Sequence, residues 1–154
     1  MKKDLSKEIQ RLKEKYNLTD FGFDAECIYQ LGDLSELLKN SLKRLLPDIE
    51  LGIEEQLKNG RYVATIIHNG DFIVEIYANN DSDWLPDDFW ELFDSIPNRL
   101  GLRRFFCSIN PQLTGQTIWY LCGTNEQINS AKRDGLPIVL PGENIFEMDL
   151  SEYE

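Results

Sequence analysis

Histidine is nearly absent from this chain. His68 is the only one, so chemistry that needs an imidazole base beside a nucleophile rests on that single residue. Cysteine is scarce too: Cys27, Cys107 and Cys122 are an odd number at spacings that match no zinc or redox pattern. They are read as three reduced thiols packed as small hydrophobes. Cys107 and Cys122 fall on adjacent expected strands, which leaves a bridge open. Basic residues are in deficit, with 16 Lys and Arg against 27 Asp and Glu and a net charge of −11. That balance opposes binding to a nucleic-acid backbone, which requires neutralisation of phosphates. Long apolar runs are missing, and a run such as Ile118–Cys122 is far short of the ~20 residues that span a bilayer. The opening stretch Met1–Gln10 is charged and amphipathic, without the apolar core of a secretion signal, so a cytoplasmic protein is expected.

Motifs that hold cofactors are missing as well. The glycines are scattered, and no stretch resembles a P-loop or a dinucleotide fingerprint. One histidine and three dispersed cysteines supply no zinc ligand set. Asp81-Ser82-Asp83 opens like a calcium loop, but Leu85, Pro86 and Leu92 occupy its fifth, sixth and twelfth positions, which rejects it. A looser oxygen-ligand site around Asp81, Asp83 and Asp87 stays open, but no metal or cofactor is expected.

What is present is ordinary globular material: 42% apolar, 11% aromatic and 28% charged residues over 154 positions, enough for one domain. Leu5, Ile9, Leu12 and Tyr16 recur at helical spacing over Lys3–Tyr16. Asn17–Asp24 reads as a polar break, and a short helix is suggested over Ala25–Gln30. A longer helix starts at Asp33, read as its N-cap with Glu36 completing an imperfect capping box, and runs through Leu34, Leu37, Leu38, Leu42, Leu45 and Leu46 to Pro47. Beyond residue 47 the period becomes that of strands. Asn59-Gly60 and Asn69-Gly70 are hairpin turns. The second places His68 opposite Asp71, Ile67 opposite Phe72, Val63 opposite Ile76 and Tyr62 opposite Tyr77, with Tyr62 and Tyr77 on one face. A helix from about Pro86 carries Phe89, Trp90, Phe93 and Ile96. Strands at Arg104–Ile109 and Thr117–Cys122 and a last helix capped by Thr124 and Gln127 complete the pattern.

The expectation is a single α+β domain over 1–154, in the order α-α-β-β-β-α-β-β-α, with helices packed on a mainly antiparallel five-stranded sheet. Residues 1–46 form its helical part, 47–142 the sheet with two helices, and 143–154 an acidic tail.

The charge is uneven. Residues 1–46 hold nine basic and eight acidic residues, whereas 47–154 hold seven basic and nineteen acidic ones. Asp71–Asp94 contains eight acids (Asp71, Glu75, Asp81, Asp83, Asp87, Asp88, Glu91, Asp94) and no Lys or Arg, and Glu143–Glu154 adds five more acids. Asp87, Glu91 and Asp94 share a helix face at i, i+4 and i+7. Trp84 and Trp90 interleave with these acids. Trp90 falls on the core side of its helix and Trp84 in the loop before it. Acids beside an exposed aromatic suit a cationic protein, since charge steers the encounter and the aromatic supplies contact energy. Arg99, Arg103 and Arg104 follow this helix and offer internal partners for some of the acids.

Asp81-Ser82-Asp83-Trp84-Leu85-Pro86-Asp87-Asp88-Phe89-Trp90-Glu91 and the acidic tail give the chain a character that resembles the immunity proteins of bacterial polymorphic-toxin and contact-dependent inhibition systems. The resemblance implies a non-enzymatic inhibitor that covers a basic toxin or nuclease domain, here through Asp81, Asp83, Trp84, Asp87, Asp88, Glu91 and Asp94. The alternative is an adaptor or regulatory domain that binds its partner through the sheet face around Tyr62 and Tyr77. A third reading is a small enzyme using His68 or a carboxylate pair in a pocket.

Overall fold

The computed structural model describes residues 2–153. In chain order its elements are α1 (Leu5–Tyr16), β1 (Thr19–Asp24), α2 (Asp33–Leu45), β2 (Gly52–Lys58), β3 (Arg61–His68), β4 (Asp71–Asn79), α3 (Asp87–Asp94), α4 (Ile96–Arg99), β5 (Arg104–Ile109), α5 (Pro111–Thr114), β6 (Thr117–Thr124), α6 (Asn125–Arg133) and β7 (Ile138–Val139), with a 3-10 turn at Ile145–Glu147. The class is α+β, as expected. The strands, however, form two sheets rather than one of five: β1-β6-β5-β7 and β2-β3-β4. The stretch from Asp24 to Arg103 forms one compact unit, and the segments on either side of it form the other. Among the described residues no helix is long and apolar enough to cross a membrane.

In the unit built from the flanking segments, α1 is started by the Asp4 carboxylate, which accepts from the Lys7 amide at 3.3 Å, and is ended by Asn17 in the left-handed region. Its buried Ile9 and Leu12 join Leu18, Cys107, Ile109, Leu121, Ile128 and Ile138 in one cluster. Strand β6 is buried from Tyr120 to Gly123, which suits an inner strand covered on both faces. Strand β1 replaces the expected polar break. Its Asp20 is buried, with Lys13 Nζ at 2.8 Å from one carboxylate oxygen and Trp119 Nε1 at 3.1 Å from the other. A fully partnered carboxylate is tolerated in a core, but in a sequence it looks like a surface residue. In register, Cys107 faces Leu121 and Cys122 faces Phe106. The two thiols are therefore one step out of phase and point to opposite faces of the sheet, and no disulfide joins them. α6 begins with the expected Thr124–Gln127 capping box.

The expected acidic tail after residue 142 is a strap tied to this unit. Asn110, fully buried, donates from Nδ2 to the Ile145 carbonyl at 3.0 Å. Glu143 accepts from the Leu140 amide and pairs with Lys132 at 3.0 Å. Tyr153 is buried, donates its hydroxyl to the Gly135 carbonyl at 2.8 Å and bridges in parallel to Lys3.

In the unit from Asp24 to Arg103, α2 buries Leu34, Leu38, Leu42 and Leu45 and contacts β2 and β3, while α3 and α4 contact β4. Both hairpin turns form where expected, with Asn59, Gly60, Asn69 and Gly70 all at positive φ. Next to the second turn the pairing is as expected, His68 with Asp71 and Ile67 with Phe72. A bulge between Ile66 and Ile67 then shifts the register, so that Ile66 faces Val74, Val63 faces Tyr77 and Tyr62 faces Ala78. The expected pairs Val63–Ile76 and Tyr62–Tyr77 do not form. Tyr62 and Tyr77 lie on opposite faces, because the single extra residue reverses the alternation.

Candidate functional site

The acidic stretch is positioned by α3 and the loop before it. Phe89 and Phe93 are buried and stacked, with ring centroids 5.4 Å apart, and this fixes which way the helix faces. Asp87, Glu91 and Asp94 are consequently on the exposed side. Asp87 and Asp88 sit in the first turn, where the helix dipole favours a negative charge. Trp90 is half-buried and meets Phe89 edge-on, whereas Trp84 is 46% exposed.

One expected member has a partner inside the unit. Asp88 is held by Arg61, whose Nη1 and Nη2 donate to the two carboxylate oxygens at 3.1 and 3.0 Å. The same guanidinium donates from Nε to Asn79 Oδ1 at 2.9 Å and lies 4.8 Å from the Tyr77 ring centroid. The internal partner of Asp88 is thus Arg61 on β3. Asp81, Asp83, Asp87 and Glu91 are exposed and form no ion pair among the described residues.

The structure adds a second segment that the helical reading of Ala25–Gln30 missed. The chain from Asp24 to Gly32 is an extended loop laid along Ser82–Leu85. Glu26 and Trp84 form an antiparallel bridge, the Cys27 and Ile28 amides both donate to the Asp83 carbonyl at 2.9 Å, and the Leu85 amide donates to the Ala25 carbonyl. Asp33 is not the N-cap of α2. It holds the loop instead, accepting from the Tyr29 and Gln30 amides at 2.8 and 3.1 Å. Gly32 is the N-cap, and the capping carboxylate comes from β2: Glu55 accepts from the Gly32 amide at 2.9 Å and from Ser35 at 2.6 Å. Glu36 takes no part in these bonds. The result is a loop anchored at both ends that leaves Tyr29 62% and Leu31 54% exposed.

The electrostatics agree with this placement. Burial raises the Tyr29 hydroxyl pKa above its ordinary value, and the charges of Glu26, Asp83 and Asp24 raise it further. The Cys27 thiol is pushed up to about 11, first by burial and then by Asp24 and Asp33, so it is a poor nucleophile at neutral pH. A sequence signal for this loop exists: Asp24–Leu38 holds Asp24, Glu26, Asp33 and Glu36 and no Lys or Arg.

The other candidates are placed elsewhere. His68 flanks its turn opposite Asp71, with Nδ1 3.1 Å from the Glu50 carbonyl and Nε2 3.3 Å from Asn69 Nδ2. Tyr62 is only 8% exposed, and Tyr77 is held by Arg61 and by a bond from its hydroxyl to Glu75, so no shared binding face joins the two. Among the described residues no group of three His, Cys, Asp or Glu side chains is placed to hold a metal ion. Comparison of the chain with models of protein families, with curated proteins and with solved structures gives no match.

Proposed function

We propose that this protein is an immunity-type inhibitor that binds and neutralises a basic toxin or nuclease domain, acting in the cytoplasm, where its three cysteines, none of them in a disulfide, stay reduced. The observation that carries the reading is the set Asp81, Asp83, Asp87 and Glu91. These carboxylates are exposed, lie in the same stretch of chain as exposed Trp84 and form no ion pair among the described residues. From Tyr62 to Asn98 the chain supplies no Lys or Arg at all. Such a surface attracts a site built to receive phosphate over a range of about 8 Å at physiological salt. It leaves the contact energy to whichever apolar groups are exposed beside it.

The test is calorimetric titration against basic nuclease domains at two salt concentrations. Joint reversal of Asp81, Asp83, Asp87 and Glu91 to Lys is expected to weaken binding at least about tenfold and to flatten its salt dependence. Unchanged affinity and salt slope would remove the proposal.

A further inference from the structure

The reading of the protein as a binder of cationic proteins leaves open what makes the contact, and three exposed apolar side chains answer it. Tyr29, Leu31 and Trp84 are 62, 54 and 46% exposed, on two segments joined through the Glu26–Trp84 bridge and the bonds to the Asp83 carbonyl. Tyr29 Oη donates to the Glu26 carbonyl at 3.2 Å, which ties the ring to the residue that bridges to Trp84. The loop is already ordered by Asp33 and Glu55, so little conformational freedom is lost when a partner lands on it.

We infer that Tyr29, Leu31 and Trp84 form a docking surface for an arginine-bearing segment of a basic protein. Charge complementarity names the occupant. The charged side chains of Asp24–Leu38 and of Asp71–Asp94 are all carboxylates, and Glu26, Asp81 and Asp83 form no ion pair among the described residues. A second copy of this chain would bring like charge against like. Arginine suits the surface better than lysine because its planar guanidinium stacks on an aromatic ring while its edge meets a carboxylate, and its methylene stem covers an aliphatic neighbour such as Leu31. The same unit holds an internal example of that chemistry, with Arg61 over the Tyr77 ring while it grips Asp88.

The experiment titrates the isotope-labelled full chain with an oligo-arginine peptide and an oligo-lysine peptide of equal length, read by amide shifts and tryptophan fluorescence. Oligo-arginine is expected to shift Tyr29–Leu31 and Ser82–Trp84 and to bind several-fold more tightly than oligo-lysine. The variant Tyr29→Ala/Leu31→Ala/Trp84→Ala is expected to lose about tenfold in oligo-arginine affinity. If that variant does not fold, Leu31→Ser and Trp84→Ser singly replace it, each with a several-fold loss. Unchanged affinity in these variants, together with a loss on reversing Asp87 and Glu91, overturns the docking surface and leaves the binder reading standing. Indifference to both sets of changes overturns both. Equal affinity for the two peptides overturns the arginine preference. A concentration-dependent dimer dispersed by Trp84→Ser would show that the surface belongs to a second copy.

Discussion

Arg61 and Asp88 are joined by two parallel hydrogen bonds, at 3.0 and 3.1 Å, across the gap between β3 and the first turn of α3. This pair sets Asp88, which is engaged inside its unit, apart from Asp81, Asp83, Asp87 and Glu91, which are exposed and form no ion pair among the described residues. Both side chains are partly exposed, so the pair is worth ~1 kcal/mol at most. Asp88→Asn is expected to lower stability in urea by that amount and to leave affinity for a cationic partner unchanged within about twofold, whereas Asp83→Asn changes affinity and not stability. Denaturation midpoints and titrations on the two variants check the division.

Glu55 reaches from β2 to cap a helix that starts some twenty residues earlier in the chain, bonding the amides of Gly32 and Ser35. Glu55→Ala removes both bonds and is expected to cost ~1 kcal/mol. The loss should be local. Hydrogen exchange is expected to quicken at Gly32 and Ser35 and along the loop that carries Tyr29 and Leu31, with the hairpin amides of β3 and β4 unchanged.

Gly22 has no room for a side chain. A Cβ there would stand 2.5 Å from Cε3 of Trp119, a rigid ring whose Nε1 is tied to buried Asp20. Gly22→Ala is expected to destabilise by ~1–3 kcal/mol through this overpacking. Trp119→Leu in the same chain should recover part of the loss, which a thermal-melt double-mutant cycle would measure.

Alkaline pH should loosen the strap. Burial raises the hydroxyl of Tyr153 from its ordinary 10 to about 12. Between those values the unfolded chain gives up this proton and the folded one keeps it. Stability therefore falls as pH rises from 10 and levels off past 12. Tyr153→Phe lacks the bond to Gly135, so it starts less stable, but it should show a shallower fall over that interval. Urea melts at a series of pH values report the slope.

Much of the secondary structure was legible because its signals are local. The two Asn-Gly turns, the leucine stripe of α2 and the Thr124–Gln127 box each lie within a few residues. What escaped depends on groups far apart in the chain. β1 was hidden because Asp20 looks exposed until Lys13 and Trp119 are brought to it. The face shared by Tyr62 and Tyr77 failed on one bulge at Ile66–Ile67, which no local pattern marks. The cap of α2 was misassigned because Glu55 supplies it and frees Asp33 for the loop. For the proposed surface, charge counting points to Trp84 and the acids around it but not to Tyr29 and Leu31, because apolar spacing alone cannot tell an extended loop from a short helix.

The unit that contains β1 is assembled from both sides of an eighty-residue stretch, Asp24 to Arg103, that makes its own core. During synthesis β1 emerges early, but its neighbour β6 comes almost a hundred residues later. Meanwhile the hairpins between Gly52 and Asn79 close over loops of a few residues. Order of appearance on the ribosome thus favours the inserted unit, and the segment that carries β1 waits as an open edge until β6 arrives. The acidic and aromatic surface belongs to the part of the chain that can finish folding first.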